Sequence, residues 1–102
     1  TYCCHPSMAN DNLSGLVLAT LLFEKLQNMS TYHSYRLVIV PETIGSIAYL
    51  HENESEMKEV DGGYVVTTVG GPGTFDYKES YAGDDPVDIA ARWALDEHTY
   101  DE

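Results

Sequence analysis

The chain has 102 residues, enough for one domain with a modest core, and its 43% hydrophobic content suits a folded protein rather than a disordered one. Seventeen acidic residues against five basic ones give a formal charge of −12. That balance excludes the cationic face that nucleic acids and anionic membranes select.

Taken in chain order, Thr1 to Cys4 is a β-type run that ends at His5-Pro6, because proline lacks the ladder donor and biases its predecessor toward extended backbone. No secretory leader is visible, and the chain opens as if in mid-strand, so its N-terminus is expected to be missing and the chain to be a fragment of a longer domain. Ser7 to Asn12 is a polar loop, and Asp11 or Asn12 is a suitable N-cap for a helix over about 13–28. That helix is apolar on nearly every side, which predicts burial on more than one face. Ser14, Gly15, Thr20, Glu24 and Lys25 interrupt it as a membrane span. Tyr35 to Val40 is the clearest strand, closed by Pro41. A second helix follows over about 44–51, then an acidic loop, a third strand over 63–69, a Gly70–Gly73 turn and a short run over 74–77. Pro86 suits the first turn of a last helix, about 87–97, in which Ile89, Ala90, Trp93 and Ala94 have core spacing. The order predicts an α/β fold with a mainly parallel sheet.

Cys3 and Cys4 point to opposite sides of a strand, so a mutual disulfide is not expected. Two thiols without further cysteines fit a reducing, cytoplasmic location. Asn12, Asn28 and Asn53 each open an Asn-X-Ser triplet, expected to be coincidental. His33 and His51 are expected on solvated surface turns, and His98 exposed in an acidic tail.

Ligands of open α/β sheets collect beyond the carboxyl ends of strands. His5 follows the first strand, Glu42 follows the second, and Asp11 opens the helix after His5, so one sheet edge gathers an imidazole and two carboxylates. Such a set suits Zn²⁺. On spacing alone the plainer alternatives stay open, with His5 a hydrogen-bonded structural residue and Asp11 and Glu42 N-caps.

The string Cys4-His5-Pro6-Ser7-Met8-Ala9-Asn10-Asp11-Asn12-Leu13-Ser14-Gly15 resembles the metal-binding loop of the co-catalytic zinc aminopeptidases. Arg36 to Glu42 is similar to that family's next strand, and Gly45-Ser46-Ile47-Ala48-Tyr49 to the Gly-Ser-X-X-Tyr beyond it. The bacterial aminopeptidase-like branch is the nearest likeness. The resemblance implies a three-layer zinc-exopeptidase-like fold with helices on both faces of the sheet, of which residues 1–102 are a partial catalytic domain. It implies one or two Zn²⁺ ions in the complete domain, His5 as a ligand, Asp11 as the bridging carboxylate, and Glu42 as ligand or general base. Pro41 stands where the family has the first glutamate of a pair, and Ser7 where it has an orienting aspartate. The remaining ligands are implied to lie beyond this chain. The expected activity is peptide-bond hydrolysis at a free N-terminus, on a peptide or aminoacyl substrate. A non-catalytic scaffold is the alternative, and a stand-alone α/β interaction module a third reading. An exposed sheet edge is expected to let copies associate.

Overall fold

A computed structural model describes residues 1–98, which form two compact units, residues 1–59 with 65–72 and residues 60–64 with 73–98. In the first unit, strand β1 (Tyr2–Cys3) pairs in parallel with β2 (Val40–Pro41), Tyr2 opposite Val40 and Cys3 opposite Pro41. Parallel neighbours require a crossover, supplied by helix α1 (Leu13–Gln27). The Thr1 amino group donates to the Val38 carbonyl at 3.1 Å and Glu42 N–H to the Cys3 carbonyl at 2.9 Å, which extends the pairing past both ends of the ladder. Helix α2 (Ile44–Glu52) and the single turn α3 (Glu54–Met57) complete the unit.

The fold is therefore a small α/β arrangement on a two-stranded parallel sheet with helices. The sequence predicts more strand than this. Residues 35–39, 63–69 and 74–77 carry no strand ladder, because strand-forming residues become strand only where a partner backbone takes up their hydrogen bonds. The three predicted helices fall within two residues of their expected bounds, whereas the turn α3 lies where an acidic loop was expected.

Burial on α1 is confined to one stripe. Gly15 and Ala19 are buried and Leu16, Phe23 and Leu26 half-buried, whereas Leu13, Val17, Leu18, Leu21 and Leu22 are exposed. The expectation of burial on several faces is thus not met among the described residues. Gly15 is required by close approach: a Cβ there would lie 2.4 Å from Asn12 Oδ1 and 2.6 Å from the Val66 carbonyl oxygen. Between β2 and α2 the chain turns within two residues. Ile44 N–H donates to the Glu42 carbonyl at 2.6 Å across Thr43, whose φ of 58° and ψ of −72° are those of a γ-turn. No described helix is long and apolar enough to cross a membrane.

In the second unit, α4 (Pro86–His98) opens with Asp88 fully buried at its third residue. Asp88 accepts from Ser80 Oγ (2.6 Å), Tyr77 Oη (2.7 Å), Ser80 N–H (2.9 Å) and Asp85 N–H (3.2 Å). The last of these reproduces half of a capping box, a side chain at the third helical position reaching back to the cap's amide. Hydrogen bonds from the Ser80 hydroxyl, the Ser80 amide and Tyr77 hold the Asp88 carboxyl down at about 2, and the same contact with Asp88 pushes the Tyr77 phenol up to about 12. Arg92 pairs with Glu79 on the surface. Trp93 and Ile89 are 65% and 57% exposed, so the core spacing read from α4 does not translate into burial in this unit. The side chain of His98 and the tail residues 99–102 lie outside the described residues.

Candidate metal centre

The segment 10–14 does two jobs by alternation. Asn10, Asn12 and Ser14 face the chain at 68–70 and capture three successive amides. Thr68 N–H donates to Asn12 Oδ1 (3.0 Å), Val69 N–H to Ser14 Oγ (3.1 Å) and Gly70 N–H to Asn10 Oδ1 (2.7 Å). Asn12 is wholly buried and its amide also donates to Thr1 Oγ1 (2.9 Å) and the Tyr2 carbonyl (2.8 Å). It occupies the N-cap position of α1 as expected, yet its side chain makes no capping bond. Burial also closes Asn12 to glycosylation. These roles were invisible in the sequence because the partners lie 55–60 residues away.

Asp11, between the two asparagines, points the other way. Its Oδ2 lies 3.7 Å from His5 Nε2, and its Oδ1 lies 3.6 Å from Cys4 Sγ, which donates to it. Tyr2 Oη, 2.6 Å from Thr67 Oγ1, lies 3.4 Å from Asp11 Oδ1 and donates to it. The geometry follows from the strand period: Tyr2 and Cys4 share the face of Asp11, and Cys3 turns away to the Val40 carbonyl (3.8 Å). Candidate donor atoms of Cys4, His5 and Asp11 all lie within 4.8 Å of one another, just beyond the carboxyl end of β1. Cys4 is half-buried; His5 and Asp11 are about half exposed at 53% and 52%.

Glu42 is not a member of this triad. It follows β2, and its charge acts on both His5 and Cys4. His33 and His51 are exposed and apart from it, His51 on α2 rather than in a turn. The missed residue is Cys4, whose signal was adjacency to His5 and the face it shares with Tyr2.

His5 Nδ1 lies 2.9 Å from the Pro6 carbonyl, which can only accept, so this contact is a hydrogen bond when Nδ1 carries the proton, and Nε2 is the nitrogen turned toward Asp11. That contact with Pro6, then the Asp11 and Glu42 charges, raise the imidazole pKa against partial burial. Desolvation first, then the Asp11 charge, raise the Cys4 thiol pKa, opposed by a backbone hydrogen bond at His5. A ligand histidine commonly donates its other ring N–H to a carbonyl in this way. Sulfur, imidazole nitrogen and carboxylate oxygen gathered at this spacing fit Zn²⁺.

A small α/β fold with such a triad at a strand end defines a candidate metal-binding domain. The chain belongs to the family described as Domain of unknown function (DUF4910), which matches residues 1–102. It is 48% identical over 88 residues to a Clostridium acetobutylicum protein whose name describes polysaccharide biosynthesis and an aminopeptidase-like domain. The match covers 86% of this chain and 20% of that relative, so the chain spans about a fifth of the relative's length. No solved structure matches it.

Proposed function

We propose that the chain is the front part of a zinc-dependent aminopeptidase-like hydrolase that cleaves the peptide bond after a free N-terminal residue. The observation that carries this reading is the convergence of His5 Nε2 and Asp11 Oδ2 to 3.7 Å beyond β1. The aminopeptidase-like domain named in the Clostridium acetobutylicum relative supports it.

His5 and Asp11 hold the ion in this reading. When bound, zinc supplies Lewis acidity to the scissile carbonyl and makes water easier to deprotonate at neutral pH. Glu42, at the end of the neighbouring strand, takes the proton from the attacking water and delivers it to the leaving amine. The carboxylates of Asp11 and Glu42 favour a substrate with a free α-ammonium group. Tyr2 steadies Asp11 through its hydroxyl.

The test is zinc content and aminoacyl-anilide hydrolysis by the full-length protein that contains this chain. His5→Ala and Asp11→Ala should each lose zinc and activity. Full-length protein that carries no zinc, hydrolyses nothing and is unchanged by His5→Ala defeats the reading. The name of the relative favours a second one, a non-catalytic aminopeptidase-like scaffold or binding domain within a polysaccharide biosynthesis protein. It predicts zinc without hydrolysis, or neither.

A further inference from the structure

We propose that Cys4 is a metal ligand, its thiolate completing a sulfur–nitrogen–oxygen set with His5 and Asp11. This rests on the metal-dependent reading above and deepens it, because neither the family description nor the name of the relative assigns any residue to a metal.

Three observations carry the inference. First, Cys4 Sγ already lies 3.6 Å from Asp11 Oδ1. Zinc with bonds of about 2.3 Å to sulfur and about 2.0 Å to oxygen, at a tetrahedral angle, sets those atoms about 3.5 Å apart. Second, the most separated donor atoms of the triad are no more than 4.8 Å apart, and the His5 and Asp11 side chains are about half exposed, so rotation about their side-chain bonds can close the set without moving β1. Third, Cys4 is held on this side by the strand period. Cys3 faces the Val40 carbonyl, so the two adjacent thiols have different neighbours and only one adjoins His5 and Asp11. Glu42 lies outside the donor set that Cys4 joins.

Coordination replaces the S–H bond of Cys4 by a sulfur–metal bond, and the proton leaves to solvent. A thiolate in the set selects Zn²⁺, Cd²⁺ and Co²⁺ over Mg²⁺ and Mn²⁺, which prefer oxygen. The bland alternative is that Cys4 only donates a weak S–H hydrogen bond to Asp11.

The experiment loads the full-length protein that contains this chain with Co²⁺ and reads near-ultraviolet sulfur-to-cobalt charge transfer, beside Zn²⁺ affinity by competition with a chelating dye. Wild type and Cys3→Ser should show the band and Cys4→Ser should lose it. Zinc affinity of Cys4→Ser should fall by more than the roughly 10–100-fold that losing an outer-shell partner costs. The Cys3→Ser protein keeps Cys4 as the one thiol of this sequence, so the reading does not depend on Cys4→Ser folding. Stoichiometric cobalt without the band, or Cys4→Ser that binds zinc as wild type does, overturns the role of Cys4 and leaves the proposed function standing. No divalent ion bound by any form overturns both.

Discussion

Replacing Asn12 by alanine should cost more stability than any other single polar truncation in the first unit. The side chain is wholly buried and makes three hydrogen bonds, to Thr1 Oγ1, the Tyr2 carbonyl and the Thr68 amide. Each such bond contributes about 0.5–1.5 kcal/mol net, which sets a floor of about 1.5 kcal/mol for the three. Truncation also leaves the Thr68 N–H and one Tyr2 carbonyl bond without their partner, and a buried orphan costs about 1–3 kcal/mol. Thr1 loses less, because its hydroxyl still donates to the Val66 carbonyl at 2.7 Å. The expected loss is therefore about 3–4 kcal/mol, a large part of the ~5–15 kcal/mol that holds a typical domain folded.

Urea denaturation measures this directly. At a slope of about 1–3 kcal/mol/M the midpoint should fall by more than about 1 M with the slope unchanged. Asn28→Ala is the control, since that exposed side chain bonds only the Glu24 carbonyl one turn back, and it should move stability by less than about 1 kcal/mol. Amide exchange supplies the local readout: Thr68 should lose protection in Asn12→Ala before the α1 interior does. An Asn12→Ala midpoint equal to that of Asn28→Ala would refute the claim that this amide ties β1 to residues 66–68.

Gly15→Ala removes a helix-interior glycine, worth about 1 kcal/mol of intrinsic propensity, yet should destabilise by about 1–3 kcal/mol, because its Cβ would meet Asn12 Oδ1 at 2.4 Å and the Val66 carbonyl at 2.6 Å. A stabilised Gly15→Ala by thermal unfolding would contradict that packing. Tyr2→Phe should weaken zinc binding by roughly tenfold, read by dye competition, because Asp11 loses the hydroxyl donor at 3.4 Å; an unchanged affinity removes Tyr2 from the site. Asp88 ionises at about 2, below the ordinary carboxylate value near ~3.9, so its contribution is complete above about pH 4 and is lost as pH falls toward 2. Tyr77, raised to about 12 from about 10, contributes fully below pH 10 and loses that contribution as pH rises through 12. Asp88→Asn should accordingly flatten the fall in stability between pH 4 and 2, and an unchanged slope there would show that the Ser80 and Tyr77 contacts do not form.

How much of this was legible follows from the range of the interactions. The helices were readable because their determinants are local: Pro41 and Pro86 as punctuation and apolar runs between them. The strands were readable only as propensity. Residues 35–40 look like a core strand, yet only Val40–Pro41 pair, since a ladder needs a neighbour that no local pattern announces. His5 and Asp11 were legible because they sit in one short string. Cys4 was not, because which thiol of an adjacent pair adjoins His5 and Asp11 depends on the strand face, which adjacency alone does not fix.

On the proposed metal-dependent reading, the residues of the 10–15 segment divide between anchoring and binding. A metal-binding aspartate on a free loop would lose affinity to the entropy of ordering it. Here Asp11 is flanked on both sides by asparagines whose amides are bonded to a distant backbone, and Ser14 adds a third anchor at the start of α1. Gly15 then lets residue 66 approach closely enough for those anchors to reach. Asp11 is thus positioned by its anchored neighbours together with the Tyr2 hydroxyl, and its two oxygens face Cys4 and His5. On this argument Asn10→Ala, which touches no donor atom of the triad, should weaken zinc binding through the loss of one anchor at Gly70, and less than Asn12→Ala does. Equal zinc affinity across wild type, Asn10→Ala and Asn12→Ala, in protein shown to be folded, would mean that the anchors serve the fold alone.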